Sequence, residues 1–296
     1  MQEYTGFAQV YDTFMDNVPY DEWSEYLSSL LSENGVKEGL VLELGCGTGK
    51  MTRRLATKGY DMIGIDYSEK MLEIAREREY ECVENDYEEY DDNSECEVDS
   101  DTKAEKIYDN RILYLQQDMR NFELFGTVAA VVSICDSMNY ITSEQDLIQV
   151  FKLVNNYLDA RGILIFDMNT EYKYKKILSD NTIAENREDC SFIWENYYDE
   201  DTMINEYDVT VFVKIEVEDD ELEKSETYQA NQIFERFQET HYQKAYSIET
   251  VKKLLIESGM EFVAVYDAFT HSPPTDSSER VYFIAREKHQ EQKKYI

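Results

Sequence analysis

The sequence is short of positive charge. It has 29 lysines and arginines against 63 aspartates and glutamates, so the formal net charge at pH 7 is −34. Because basic residues supply most of the affinity for phosphate backbones, this balance argues against a role on bulk nucleic acid and against binding to anionic membranes. It either favours cationic or neutral small molecules as substrates or only keeps the protein soluble, and composition does not separate these two interpretations.

Long apolar runs and an ordered cysteine pattern are also missing. No run approaches the roughly eighteen residues of a membrane-spanning helix, and no cationic-then-apolar leader opens the chain. The five cysteines are scattered and form no CxxC pair, which fits a reducing cytoplasm, and we expect a cytoplasmic protein. There is no HExxH motif, zinc-ligand spacing or P-loop, so no metal site is predicted. The 296 residues permit one large domain or two.

Three glycines at alternating positions form the most informative stretch. An apolar run over 40–44 predicts a buried strand. The next residues include Gly45, Gly47 and Gly49, which predict a tight turn that leaves bare backbone for a ligand. Helical spacing returns over 50–58, so the turn delivers the free N–H groups of a helix N-terminus to the same place.

A carboxylate completes this unit. A second apolar run over 62–65 predicts another strand, which ends on Asp66. An acid at this position can accept hydrogen bonds from both hydroxyls of a ribose, so the stretch predicts a nucleoside-binding β-α-β unit. The order is E-x-G-x-G-x-G rather than the dinucleotide pattern G-x-G-x-x-G. Glu43 would repel a pyrophosphate but could organise the turn and hold the amino end of a bound amino acid.

These motifs resemble those of the class I methyltransferases that use S-adenosylmethionine. The matching residues come in the expected order: Glu43, Gly45, Gly47 and Gly49, then Asp66 with Tyr67-Ser68, then Gln117-Asp118-Met119. The resemblance implies a Rossmann-like α/β fold with a seven-stranded, mostly parallel sheet flanked by helices, and S-adenosylmethionine as the cofactor. The alternative is that the glycines only form a tight turn in an α/β domain.

The resemblance also assigns residues to the cofactor. Asp118 would accept the adenine amino group, Met119 would offer its backbone N–H, Met71 would lie against the ring, and Tyr11 would reach the methionine part from an opening segment folded over the cleft. Core packing is the alternative for Met71 and Tyr11. The complete predicted set is Tyr11, Glu43, Gly45, Cys46, Gly47, Gly49, Asp66, Tyr67, Met71, Asp118, Met119 and Cys135.

Residues facing the reactive methyl group are expected after the fourth strand. Apolar runs predict strands over 111–115, 128–134 and 162–167, and ligands of open α/β sheets bind at the carboxyl ends of such strands. Segment 135–140 emerges there, beside the glycine turn. The candidate substrate residues are Asp136, Asn139, Tyr140, Trp194 and His241, with packing as the alternative for Trp194 and His241.

Two segments interrupt the α/β pattern. Residues 79–109 are acidic and aperiodic, which predicts a mobile surface insertion. Alternating residues further on predict an antiparallel sheet inserted over 169–246 as a lid, with strands over 192–198, 202–217, 227–236 and 240–246. A helix over 247–258 and strands over 261–268 and 281–286 complete the core, which comprises 1–168 and 247–290.

The motifs together predict a methyltransferase that acts on a small molecule by in-line displacement. Positioning can supply most of this catalysis, so no catalytic base is assigned. The rival interpretations are a methyltransferase for RNA or protein, an aminopropyl transferase of related fold, and a protein that binds the cofactor without turnover. The acceptor and the oligomeric state are left open.

Overall fold

A seven-stranded sheet runs through the middle of the protein. The computed structural model describes residues 8–88, 112–215 and 233–288. The strands of this sheet are β1 (Gly39–Leu44), β2 (Tyr60–Asp66), β3 (Leu113–Gln116), β4 (Val128–Ser133), β5 (Leu158–Asn169), β10 (Met260–Asp267) and β11 (Arg280–Glu287). Their order is β10-β11-β5-β4-β1-β2-β3, and β11 alone among them runs antiparallel to its neighbours. This confirms the predicted Rossmann-like sheet.

Helices cover both faces of this sheet. They are α1 (Ala8–Phe14), α2 (Tyr20–Glu33), α3 (Lys50–Thr57), α4 (Glu69–Glu88), α5 (Glu144–Tyr157) and α6 (Ile248–Glu257). In β1, Leu42 and Leu44 join one buried cluster with α5 and α6, while Val41 joins the opposite cluster with α2 and α3. Side chains alternate across a strand, so a continuous apolar run fills both cores at once.

Two of the helices have a serine N-cap whose hydroxyl accepts a hydrogen bond from the first turn. Ser143 Oγ accepts from Asp146 N at 3.0 Å at the start of α5, and Ser247 Oγ accepts from Thr250 N at 3.1 Å at the start of α6. Each hydroxyl satisfies one N–H group that the first helical turn leaves without a partner. The helix predicted over 247–258 is therefore present, with Ser247 as its N-cap.

Helix α4 is longer than the sequence pattern indicated. The break expected at Glu79 does not occur, because the helix runs on to Glu88. Glutamate and arginine have high helix propensity, so an acidic stretch without apolar periodicity can still be helical. Glu79 also ties the helix to the sheet, since its Oε1 accepts from Ile112 N at 2.8 Å. The remainder of the predicted insertion, residues 89–109, lies outside the described residues.

A second, antiparallel sheet lies between β5 and α6 in the chain. Its strands, in spatial and sequence order, are β6 (Thr182–Asn186), β7 (Cys190–Asp199), β8 (Ile204–Lys214) and β9 (Phe234–Lys244). The predicted break between 236 and 240 is wrong. Strand β9 pairs with β8 without interruption from Phe234 to Lys244, because the alternation of residue types continues through the supposed turn.

Two elements in this region lack a sequence prediction. Strand β6 pairs with β7 as an edge strand, and a single π-helical turn spans Lys173–Leu178 directly after β5. No helix in the described parts of the chain is long and apolar enough to cross a membrane.

Candidate active site

One cavity of about 1160 Å³ lies where the carboxyl ends of the central strands meet α1 and the antiparallel sheet. Most of the predicted site residues line it: Tyr11, Glu43, Gly45, Cys46, Gly47, Asp66, Tyr67, Met71, Asp118, Met119, Cys135, Asp136, Tyr140 and Trp194. Strand order reverses between β1 and β4, the position at which open α/β sheets bind ligands. The topology thus brings together residues that are distant in sequence.

The glycine turn after β1 presents backbone to the cavity. Gly45 has φ +72°, and a Cβ atom there would lie 2.6 Å from Ser137 Oγ. Gly47 has φ +54°, and a Cβ atom there would meet no atom within 4 Å. Both positions are left-handed, where glycine carries no steric cost. Gly45 therefore allows close packing against the segment after β4, while Gly47 leaves open space above its backbone.

Asp66 at the end of β2 is bound to this turn. Its Oδ2 accepts from Gly47 N and its Oδ1 accepts from Ser68 N, both at 2.8 Å. A carboxylate has about four lone-pair sites, so it can accept more than two hydrogen bonds. Asp66 also lines the cavity, which places hydrogen-bond acceptors beside the bare backbone of Gly47.

Glu43 lies beneath the turn with only 2% of its surface exposed. Burial raises its pKa to about 8, although the hydrogen bond from Thr52 lowers it. Thr52 Oγ1 donates to Glu43 Oε2 at 2.5 Å. At neutral pH this carboxyl is therefore largely protonated, and a cationic group near it would favour ionisation.

The segment after β3 forms another wall. Burial opposes the ionisation of Asp118, but the Arg120 guanidinium and backbone N–H outweigh it and hold the pKa of Asp118 below its ordinary value. The Arg120 backbone N donates to Asp118 Oδ1 at 2.9 Å. Met71 is buried at the cavity margin, at the base of α4. An acidic group and an apolar side chain together suit a planar base with an amino group.

Helix α1 closes the cavity from above the turn. Asp12 accepts from Thr48 Oγ1 at 2.9 Å and pairs with Lys50 Nζ at 3.1 Å, which fastens α1 to the start of α3. Phe14, the last residue of α1, meets the ring of Phe192 in the antiparallel sheet at a centroid distance of 4.6 Å. Tyr11, which precedes Asp12, lines the cavity.

Another part of the cavity lining is a charged network that the sequence motifs did not indicate as a group. Arg280 Nη2 donates to Asp136 Oδ1 at 2.6 Å, and Arg280 Nη1 donates to Asp167. Gln243 Nε2 donates to Asp136 Oδ2 at 2.7 Å. The Arg280 guanidinium also lies 5.4 Å from the ring centroid of Trp23. These residues come from different strands and helices with no local motif, so only the folded topology reveals the cluster.

Aromatic side chains of the antiparallel sheet form the adjacent wall. The hydroxyls of Tyr140 and Tyr207 hydrogen-bond to each other, and the ring of Trp194 lies 5.1 Å from that of Tyr207. His241 is 1% exposed and stacks on Tyr207 at a centroid distance of 4.9 Å. It is thus behind the wall rather than in the cavity.

Three candidate residues act in packing instead of lining the cavity. Asn139 is fully buried, and its Nδ2 donates to Asn169 O at 3.1 Å and to Lys244 O at 2.9 Å. It joins β5 to β9 and so positions the antiparallel sheet. Gly49 caps α3 and leaves room for Tyr114 and Ala75. His241 is the third, since its ring supports Tyr207.

The fold and cavity define a nucleoside-binding α/β protein, and comparisons with known proteins give the family. A methyltransferase-domain model matches residues 41–100. The putative methyltransferase YqeM of Bacillus subtilis is 34% identical over 284 residues, which cover 96% of each chain. The chain therefore belongs to the class I S-adenosylmethionine-dependent methyltransferases, and S-adenosylmethionine is its cofactor.

Solved structures share the whole fold. A S-adenosylmethionine-dependent methyltransferase from Clostridium acetobutylicum superposes with a TM-score of 0.71 at 24% identity, covering 95% of this chain and 97% of that one. The sugar N-methyltransferase KedS8 of Streptoalloteichus superposes with a TM-score of 0.66 at 15% identity, covering 95% and 93%. At these identities the likeness shows the fold alone.

Proposed function

We propose that the protein transfers a methyl group from S-adenosylmethionine to a small-molecule acceptor by in-line displacement. The observation that carries this proposal is a single cavity that the glycine turn, Asp66 and the Asp136 network all line. Its volume of about 1160 Å³ exceeds the roughly 300 to 1,000 Å³ of a common ligand site. A small acceptor therefore has room beside the cofactor.

The part of the cavity around the glycine turn and Asp66 fits an adenosine with an attached amino acid. Asp66 would accept from the ribose hydroxyls, Asp118 from the adenine amino group, and the Gly47 backbone would lie under the methionine part. Glu43 is placed to hold the amino end of the amino acid, directly or through water. When bound, the cofactor supplies a methyl group on a positively charged sulfur, which is already a good leaving group.

The remaining residues position the acceptor and exclude water. Helix α1 and the antiparallel sheet close over the cavity through the contact of Phe14 with Phe192. Holding two reactants in line converts a bimolecular reaction into one within a complex, an effect of roughly 7 to 11 kcal/mol at best. Positioning alone thus suffices for methyl transfer, and we assign the antiparallel sheet over 169–246 as the substrate lid.

The likeness to KedS8 supports a small acceptor, since that protein is a sugar N-methyltransferase. Bulk RNA is disfavoured as a substrate by the net charge of −34.

The test is to follow a labelled methyl group. Purified protein and methyl-labelled S-adenosylmethionine are incubated with three fractions of a bacterial lysate: small molecules, RNA and protein. We expect label in the small-molecule fraction with wild-type protein and none with the Gly47→Val variant. Label confined to the RNA or protein fraction would contradict the proposed acceptor class, and binding of the cofactor without transfer to any fraction would contradict turnover.

A further inference from the structure

Three separate contacts hold Asp136 in the wall of the cavity. Its backbone N donates to Asp167 Oδ1 at 2.8 Å, its Oδ1 accepts from Arg280, and its Oδ2 accepts from Gln243. The residue has φ +54° and follows Cys135 at φ +61°, so two consecutive non-glycine residues adopt the left-handed conformation. Such strain persists where the surrounding structure enforces it, and it clusters at functional sites.

The Asp136 side chain lines the cavity. Asp136 occupies the N-cap of the short 3₁₀ helix Ser137–Tyr140, yet its side chain makes no capping hydrogen bond. An aspartate at an N-cap usually accepts from backbone N–H groups of the first turn. Here Arg280 and Gln243 hold the carboxylate instead, and each of its oxygens keeps a lone pair for a further donor.

We propose that the acceptor is an amine and that Asp136 accepts hydrogen bonds from its N–H groups, which directs the nitrogen lone pair at the methyl group. This inference rests on the proposed methyl transfer to a small molecule. The acceptor nitrogen forms the N–C bond, and the C–S bond breaks with its electron pair going to sulfur. The methylated nitrogen then releases one proton to water.

The surroundings of Asp136 favour an amine over an alcohol. An alcohol must lose its proton to become a good nucleophile, and no histidine among the described residues lines the cavity. The Asp136 carboxylate is paired with the Arg280 guanidinium at 2.6 Å and accepts from Gln243, so it is held as a hydrogen-bond acceptor. A neutral amine already carries its lone pair, so it needs a hydrogen-bond acceptor rather than a base.

Other charged groups near Asp136 also favour a neutral amine as the acceptor. Lys173 lines the cavity, and burial and the nearby Arg280 hold its pKa below its ordinary value. The Arg280 guanidinium and Lys173 offset part of the attraction that the nearby carboxylates exert on a protonated amine, which has no lone pair to donate. The carboxylates of Asp136, Asp167 and Glu279 would repel a thiolate or a carboxylate acceptor.

Selective acetylation tests this proposal on the wild-type protein. A small-molecule extract that accepts labelled methyl is treated with sulfo-NHS-acetate to block amines, and then with hydroxylamine to restore hydroxyls and thiols. We expect the treated extract to lose at least about nine-tenths of its acceptor capacity. Label transfer that survives the treatment would overturn the amine proposal and leave the proposed methylation intact. An untreated extract that accepts no label would contradict the proposed function itself.

The Asp136→Asn variant tests the role of the carboxylate. Asparagine tolerates the left-handed conformation, so the substitution removes the charge without adding backbone strain. We expect kcat/KM for the extract's amine acceptor to fall by roughly 10- to 100-fold, mainly through KM, as for loss of a hydrogen bond to a charged group. Cofactor affinity measured by calorimetry should stay within about twofold.

The matched control is Asp189→Asn, which removes one acidic charge and breaks the surface ion pair with Lys214 at 2.9 Å. We expect this control to match wild type in kcat/KM. An Asp136→Asn protein that binds the cofactor normally and methylates the amine with an unchanged KM would overturn the assignment. If that variant does not fold, the acetylation result on the wild-type protein still decides the acceptor class.

Discussion

Asp66 and Glu43 are two carboxyl groups of one site in opposite surroundings. Asp66 is partly exposed and accepts from two backbone N–H groups, Gly47 and Ser68, so donors already define its orientation. Glu43 is buried and accepts from the single hydroxyl of Thr52, and burial raises its pKa to about 8. The same functional group is therefore a hydrogen-bond anchor at one position and a titrating group at the other.

Removal of the Asp66 carboxylate should weaken cofactor binding. We expect Asp66→Ala to lose roughly 1 to 3 kcal/mol of binding free energy, because ribose hydroxyls would lose a charged acceptor. Isothermal titration calorimetry with S-adenosylmethionine measures this. Asp61→Ala, at an exposed position on the same strand, is the control and should bind as wild type does. Equal affinities for the two variants would refute the assigned role.

Glu43 should make the protein less stable as the pH rises. Because its folded pKa of about 8 lies above the ordinary 4.5, the folded state binds this proton more tightly than the unfolded chain does. The contribution of Glu43 to the free energy of unfolding is thus fully present below pH 4.5 and is lost as the pH rises towards 8. In urea unfolding at several pH values, Glu43→Gln should remove this part of the decline, up to about 1.4 kcal/mol per pKa unit.

The exposed Glu38 provides the comparison for this measurement. Glu38→Gln should follow the wild-type pH dependence of unfolding. Parallel curves for Glu43→Gln and wild type across the whole range would show that burial does not perturb Glu43 as described.

Single residues differ in how far the sequence reveals them. Asp66 and the glycines stand at fixed spacings within one β-α-β unit, so local pattern is enough to find them. Arg280, Gln243 and Trp23 line the same cavity, but they come from β11, β9 and α2. Their grouping depends on the order of strands in the sheets, which has no short-range signature. For the same reason, sequence alone does not separate a lining residue from His241, which lies one layer behind.

At the scale of elements, glycine substitutions inside and outside the turn distinguish the effect of backbone strain from the effect of blocking the ligand. Gly47→Val adds a side chain where no protein atom lies within 4 Å, so the methyl groups would enter the space assigned to the cofactor. We expect binding of S-adenosylmethionine to be lost in calorimetry while the variant stays folded by circular dichroism.

Gly35→Val is the matched control for this substitution. Gly35 also has a positive φ, +96°, and a Cβ atom there would meet no atom within 4 Å, but it lies after α2, away from the cavity. It should suffer a comparable strain of roughly 1 to 2 kcal/mol and retain binding. Saturable binding of normal affinity by Gly47→Val would contradict the assigned contact.

The strands show which elements the hydrophobic periodicity of the sequence can predict. The strands of the central sheet coincide with the apolar runs. A parallel strand is buried on both faces, so its sequence is apolar throughout and predicts the strand without knowledge of its neighbours. In the antiparallel sheet, the pattern predicts separate strands over 227–236 and 240–246, whereas pairing with β8 keeps β9 continuous from Phe234 to Lys244. Helix α4 likewise continues through acidic residues of high helix propensity. Pairing and propensity decide the elements in which apolar residues are sparse.

At the scale of the whole molecule, charge and architecture point to the same kind of substrate. Two sheets and α1 line the cavity, and the protein carries a formal net charge of −34. An acidic protein is expected to bind nucleic acid weakly, because such binding depends on neutralising phosphates with basic residues. We therefore propose small, neutral or basic acceptors.

Retention on RNA measures this property directly. At an ionic strength of about 0.15 M, we expect the protein to pass through a column of immobilised ribosomal RNA without delay, and lower salt should not increase retention. A basic RNA-binding domain on the same column serves as the positive control. Retention that strengthens steeply as salt is lowered would indicate a basic docking surface and support an RNA substrate instead.

The central claim is that the glycine turn and Asp66 hold the adenosine of S-adenosylmethionine, and a crystal structure of the complex tests it most directly. We expect both ribose hydroxyls within hydrogen-bond distance of the Asp66 carboxylate, the adenine beside Met71 and Asp118, and the methyl group facing Asp136. A cofactor bound elsewhere, or bound with its ribose away from Asp66, would contradict the account.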